Sequence, residues 1–309
     1  MFPLCAPSVS SVSSVVNERR EACRKLVSMR IPKFWARATE SLDGHTTEAF
    51  GSSDQSPADA QRDASERAKR VLRWLRDPEK GDDPHRRYGY GDDRPLREPV
   101  VRSLDQAQSA VITRNAYGSL VLNTATVCFV DVDVPAPKRG LAGLFERAFG
   151  RAKVDAAASA LDRLRTVADR EGIGLRIYRT KAGFRGLVTS QLLDPADRRT
   201  DVLLERFGSD PRYRALCRVQ RCFRARLTPK PWRCGVREPV WPWPFRSREH
   251  EQAHADWVRA YERAIEPFAV CDLIEARGPV TTDTGAAAAI ATVIRAHDER
   301  CLRAGAPLA

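Results

Sequence analysis

The chain has 309 residues, 42% of them apolar, which is enough for one large domain with appendages or for two average ones. Its formal net charge of +12 points to an anionic partner, and no run of about 18 apolar residues exists to span a membrane as a helix. The opening MFPLCAPSVSSVSSVV lacks the basic and apolar regions of a secretory signal, so a cytoplasmic setting is expected; the eight cysteines, with no CxxC pair, then read as buried thiols and not as a disulfide framework.

Residues 1–60 are rich in Ser, Asp and Ala with weak periodicity, which predicts a mobile leader with at most a short helix near residues 16–27. Residues 61–99 predict an amphipathic helix, with Ala64, Ala68, Val71, Leu72 and Leu75 on one face, followed by a charged loop rich in Gly and Pro. The core domain is expected over residues 100–309. Short strands are predicted at 110–112 and 119–126, and an apolar β-branched run at 127–134 ends at Pro135 and Pro137. A short helix at 140–150 and a strong one at 154–170 follow, the latter stopped by Gly172 and Gly174. Strands at 175–179 and 184–189 flank a tight turn, and further strands fit 223–228 and 270–275. Helices fit 202–207, 213–219, 246–264 and 286–304. Strands mixed with helices make an α/β or α+β sheet domain.

Asp131 and Asp133 interrupt the apolar run 127–134. Residues two apart on a strand share a face, which sets these carboxylates roughly 6–7 Å apart. A hard divalent ion such as Mg²⁺ or Mn²⁺ relieves their repulsion, and a paired-metal site of that kind serves phosphoryl transfer. The alternative is two acids in water at a strand end, paired with Arg114 or Lys138.

Positive charge is concentrated. From Arg212 to Arg248 there are eleven Lys or Arg against one acid, Glu238. Strand alternation puts Arg224 and Arg226 on one face and Phe223 and Ala225 on the other. Arg221, Lys230 and Arg233 extend the charge, and Trp232, Trp241 and Trp243 are interleaved with prolines. Guanidinium groups neutralise phosphates and aromatic planes stack on unpaired bases. A packed Trp/Pro lid over a core, or a site for an acidic protein, are the other readings.

The order FVDVDV, helix, LRIYRTKAGFRGLVTS, then RVQRCFRARLTPK resembles the archaeo-eukaryotic primase superfamily, which includes the primase-polymerases, over about residues 111–230. The resemblance implies an RRM-like sheet flanked by helices. It makes Asp131 and Asp133 the metal-binding pair. Thr180, Gly183 and Arg185 fall on its nucleotide-contacting turn, and Arg221, Phe223, Arg224, Thr228 and Lys230 on its basic strand; with Lys181, Arg226 and Trp232 these are the expected nucleotide or nucleic-acid contacts. Arg185 stands where the family has a nucleotide-binding histidine. The family's third acid would fall at Tyr213, leaving Asp210 and Asp272 as substitutes. The function implied is nucleic-acid or nucleoside-triphosphate binding with Mg²⁺ or Mn²⁺, and nucleotidyl transfer if active; a non-catalytic nucleic-acid-binding protein on the same fold is the alternative.

His250-Glu251-Gln252-Ala253-His254 is a competing HExxH that resembles zinc hydrolases over five residues, with His250 and His254 one helical turn apart. His45, His85 and His297 read as surface residues.

Overall fold

The computed structural model describes residues 29–77, 95–134 and 151–309. The expected helices at 16–27 and 140–150, and the charged loop of the 80s, lie outside them. Among the described residues six α-helices and three antiparallel sheets form a mixed α/β fold, as the sequence predicts. No helix there is long and apolar enough to cross a membrane.

The first sheet is a hairpin, β1 (Phe34–Leu42) and β2 (His45–Ser53), where the sequence predicts a mobile leader. Asp43 and Gly44 at its tip have φ of 50° and 79°, the left-handed pair that a two-residue hairpin turn demands. The hairpin is stabilised by α1 (Pro57–Arg76), whose small face of Ala60, Ala64 and Ala68 is fully buried. The helix comes so close that a Cβ on Gly51 would lie 2.1 Å from the Ala64 nitrogen. Ser56 caps α1 by accepting from the Asp59 amide.

Two four-stranded sheets make the body. One runs β3–β4–β5–β9, from β3 (Val100–Ser103), β4 (Ala110–Arg114), β5 (Leu120–Thr124) and β9 (Phe223–Arg226). The other runs β10–β7–β8–β6, from β6 (Phe129–Asp133), β7 (Leu175–Thr180), β8 (Gly183–Val188) and β10 (Cys271–Arg277). The chain passes directly from β5 into β6, so the sheets adjoin, and one apolar core including Leu122, Phe129, Leu187, Phe223 and Leu227 spans both. Helices α2 (Arg151–Glu171), α3 (Arg198–Phe207), α4 (Pro211–Gln220), α5 (Arg248–Ile265) and α6 (Thr284–Cys301) enclose them. Leu164, Leu204, Ile290 and Val293 plug the core from three of these helices.

Candidate functional site

Asp131 and Asp133 sit on the edge strand β6, and alternation turns both to the face that carries Phe129. Asp131 is half-buried and Asp133 exposed. Asp131 is paired across the sheet with Arg185 of β8, and Asp133 with Gly183. A Cβ at Gly183 would lie 2.0 Å from the Val132 carbonyl oxygen, so only glycine lets β8 run this close beside the acids. Thr180 closes the neighbouring turn by accepting from the Gly183 amide at 3.1 Å, which places exposed Lys181 at the same end of the sheet as Asp133.

Protein atoms crowd the Asp131 carboxyl. Burial raises its pKa above the usual carboxylate value; the Arg185 guanidinium opposes that shift, Asp133 adds to it, and Arg226 and Asp210 act more weakly. Arg185 itself is only 4% exposed. Its Nη1 donates to the Arg226 carbonyl and to His297 Nε2, both at 3.0 Å. Burial works against its charge, but Cys301, Cys271 and Asp131 outweigh it and hold its pKa up. Arg185 is thus a buried counter-charge to Asp131.

The two candidates for a third acid lie in different places. Asp210 adjoins the pair: its amide donates to the Asp131 carbonyl at 3.0 Å, and its carboxylate Oδ1 caps α4 by accepting from the Arg212 and Tyr213 amides. Tyr213 is a core residue, with its hydroxyl on the Phe129 carbonyl at 3.1 Å. Asp272 pairs with Arg179 at the opposite edge of the sheet, three strands or about 14 Å from β6, and is out of reach. Among the described residues no trio of Cys, His, Asp or Glu ligand atoms within 4.8 Å of one another includes Asp131 or Asp133.

The basic segment divides into four. Arg224 is spent internally, donating to both Glu98 oxygens at 2.6 and 2.8 Å, where Glu98 is 7% exposed. Arg221 is exposed and ends α4 in a left-handed conformation with φ of 51°, beyond the far end of β9 from Arg226. Residues 226–233 instead approach Asp133. Burial, then repulsion from Arg226, lowers the pKa of both Lys230 and Arg233, and Asp133 is a nearby opposing charge for each. Tyr117, which sequence reasoning passed over, joins them: its hydroxyl accepts from Arg226 Nη1 at 3.4 Å, and its ring meets Trp232 edge-on at 5.4 Å. Lys230 Nζ lies 5.3 Å from the Trp232 ring centre, and that indole is 49% exposed. The Trp/Pro stretch beyond is a strap. Trp243 packs edge-on against Trp35, Arg37 donates to the Pro244 carbonyl, and Arg246 pairs with Glu48 at 3.1 Å, which ties the strap to the hairpin.

The two histidines of HEQAH lie on α5 in aromatic company. His250 stacks on Trp241 at 3.7 Å, and His254 lies between Phe245 and Trp257. Among the described residues no trio of potential ligands includes either. His297, expected at the surface, is fully buried on α6 against Tyr178, Phe129 and Arg185.

The arrangement offers a carboxylate pair for a hard cation, with three cationic side chains and an exposed indole beside it. Comparison of the chain with protein families, curated proteins and solved structures gives no match.

Proposed function

We propose that this protein binds a nucleoside triphosphate or single-stranded nucleic acid in the groove between Asp131–Asp133 and the 226–233 segment, with Mg²⁺ or Mn²⁺ held by the two carboxylates. The observation that carries the reading is the convergence of Arg226, Lys230 and Arg233 beside Asp133, under an exposed Trp232. These cations crowd one another in partial burial with Asp133 as the carboxylate opposing both Lys230 and Arg233, and a phosphate chain bridged by a divalent ion would supply further negative charge. Trp232 offers a face on which a base stacks. Arg185, in this reading, acts from below by tuning Asp131 and does not touch the phosphates.

The reaction such a groove would serve is nucleotidyl transfer: an ion held by Asp131 and Asp133 would supply Lewis-acid activation of an attacking hydroxyl and charge neutralisation of the leaving pyrophosphate. Asp210 is the acid available to complete the metal set, once Oδ1 shares its capping role with an ion. Fluorescence anisotropy of a labelled single-stranded oligonucleotide tests binding. Three phosphate contacts predict a slope of log affinity against log salt of roughly −2, at about −0.7 per contact. Absent or salt-insensitive binding would end the nucleic-acid half of the proposal. Incorporation of labelled nucleotide that survives Asp131→Asn with Asp133→Asn would remove the chemistry and leave the binding.

A further inference from the structure

We propose that Cys271, His297 and Cys301 form a site for a thiophilic divalent metal, zinc being the natural occupant, separate from the Asp131–Asp133 groove. His297 and Cys301 are four residues apart on α6, so they project from one face of the helix one turn apart. Cys271 opens β10 directly against that turn, where the Val270 amide donates to the Cys301 carbonyl at 3.0 Å. The three ligand atoms all lie within 4.8 Å of one another, and Cys271 Sγ is 4.0 Å from His297 Nε2. Zinc bonds of about 2.3 Å to sulfur and about 2.0 Å to nitrogen in tetrahedral geometry need ligand separations near 3.6 Å, so closure asks for about 0.4 Å between Cys271 and His297 and at most about 1.2 Å for the other pairs. The carbonyl oxygens of Arg226 and Leu227, 3.6 and 3.8 Å from Cys301 Sγ, line the fourth side.

The histidine is oriented as a ligand. Its Nδ1 lies 2.8 Å from Asp298 Oδ1, and Asp298 is itself held by Tyr178 and Arg176. Arg185 can only donate, so Nε2 must be the acceptor and the proton sits on Nδ1. A carboxylate that fixes one ring nitrogen while the other meets the ion is the usual outer support of a metal histidine. The metal takes the lone pair now used by Arg185; since one nitrogen, Nη1, makes both that bond and the one to the Arg226 carbonyl, loading the site requires Nη1 to swing aside. Charge balances: the ion replaces two thiol protons, and a divalent ion with two thiolates and a neutral imidazole sums to zero. The site then ties β10 to α6.

Cobalt substitution reads this directly. The purified full chain is expected to carry about one equivalent of zinc; after stripping, added Co²⁺ gives thiolate-to-cobalt charge-transfer absorption. Cys271→Ser and Cys301→Ser lose that absorption, and Cys234→Ser, which alters a half-exposed thiol outside the cluster, keeps it. A folded wild-type protein that takes up no cobalt overturns the proposal. So does absorption that persists in both serine variants, or a Cys271–Cys301 disulfide found by mass spectrometry in place of metal. Should the serine variants fail to fold, the wild-type protein decides alone: a chelator must abolish the cobalt band and lower Tm, and an unchanged Tm refutes the site.

Discussion

Arg224 and Arg226 are two residues apart on one strand face, yet they have opposite expected roles. Replacing Arg224 by Ala leaves Glu98, 7% exposed, without the guanidinium that meets both its oxygens at 2.6 and 2.8 Å. Breaking a buried pair from one side costs about 3–5 kcal/mol, a large part of the roughly 5–15 kcal/mol by which domains are stable. With a urea dependence of about 3 kcal/mol per molar, the unfolding midpoint falls by about 1–1.7 M, followed by tryptophan fluorescence. Arg224→Met with Glu98→Leu removes both charges and recovers most of that loss. Arg226→Ala changes stability by no more than about 0.5 kcal/mol, since its side chain ends on the Tyr117 hydroxyl at 3.4 Å, but lowers the salt slope of oligonucleotide binding by about 0.7. The reasoning fails if Arg224→Ala unfolds at the wild-type midpoint, or if Arg226→Ala destabilises while leaving the salt slope intact.

Trp232→Ala is expected to weaken single-strand binding by about 1–3 kcal/mol with the salt slope unchanged, measured by anisotropy at several salt concentrations. Gly183→Ala forces its methyl onto the Val132 carbonyl, costing about 1–3 kcal/mol in denaturant unfolding and weakening Mn²⁺ binding at Asp133 alongside. Asp131→Asn is expected to abolish Mn²⁺ binding at the pair, measured by calorimetric titration; binding retained at wild-type strength would contradict this. The Arg214 guanidinium, 2.9 Å from Asp201, holds that carboxyl below its ordinary value. Its stabilisation is therefore complete above the unfolded pKa near 3.9 and disappears as pH falls through the lower folded one. Asp201→Asn flattens this acid limb and costs at most about 1 kcal/mol at neutral pH.

Most of the body is legible in the sequence because its elements carry local signals. The run 127–134 contains β6, the apolar face of 154–170 falls within α2, and Gly183 marks the β7–β8 turn. The hairpin is different. Its strands FWARATESL and HTTEAFGSS are mostly polar, and what holds them is the close approach of Gly51 to an alanine face on α1, a tertiary contact. The Asp43–Gly44 dipeptide was nonetheless a readable hairpin signal. At the site, the aspartate pair and the cluster of residues 226–233 follow from strand alternation and charge density. Arg224 does not, because its partner Glu98 is 126 residues away. The same holds for Cys271, which meets His297 and Cys301 only through packing of β10 on α6, although the i, i+4 spacing of the latter two is visible in the chain.

The central claim is that Asp131 and Asp133 hold a divalent ion that recruits a phosphate-bearing ligand. Calorimetric titration of a nucleoside triphosphate into the full chain, with and without Mn²⁺, tests it most directly. The predicted result is Mn²⁺-dependent binding that vanishes in Asp131→Asn with Asp133→Asn while the fold is retained. Binding of equal strength without Mn²⁺, or in the doubly substituted protein, would contradict it.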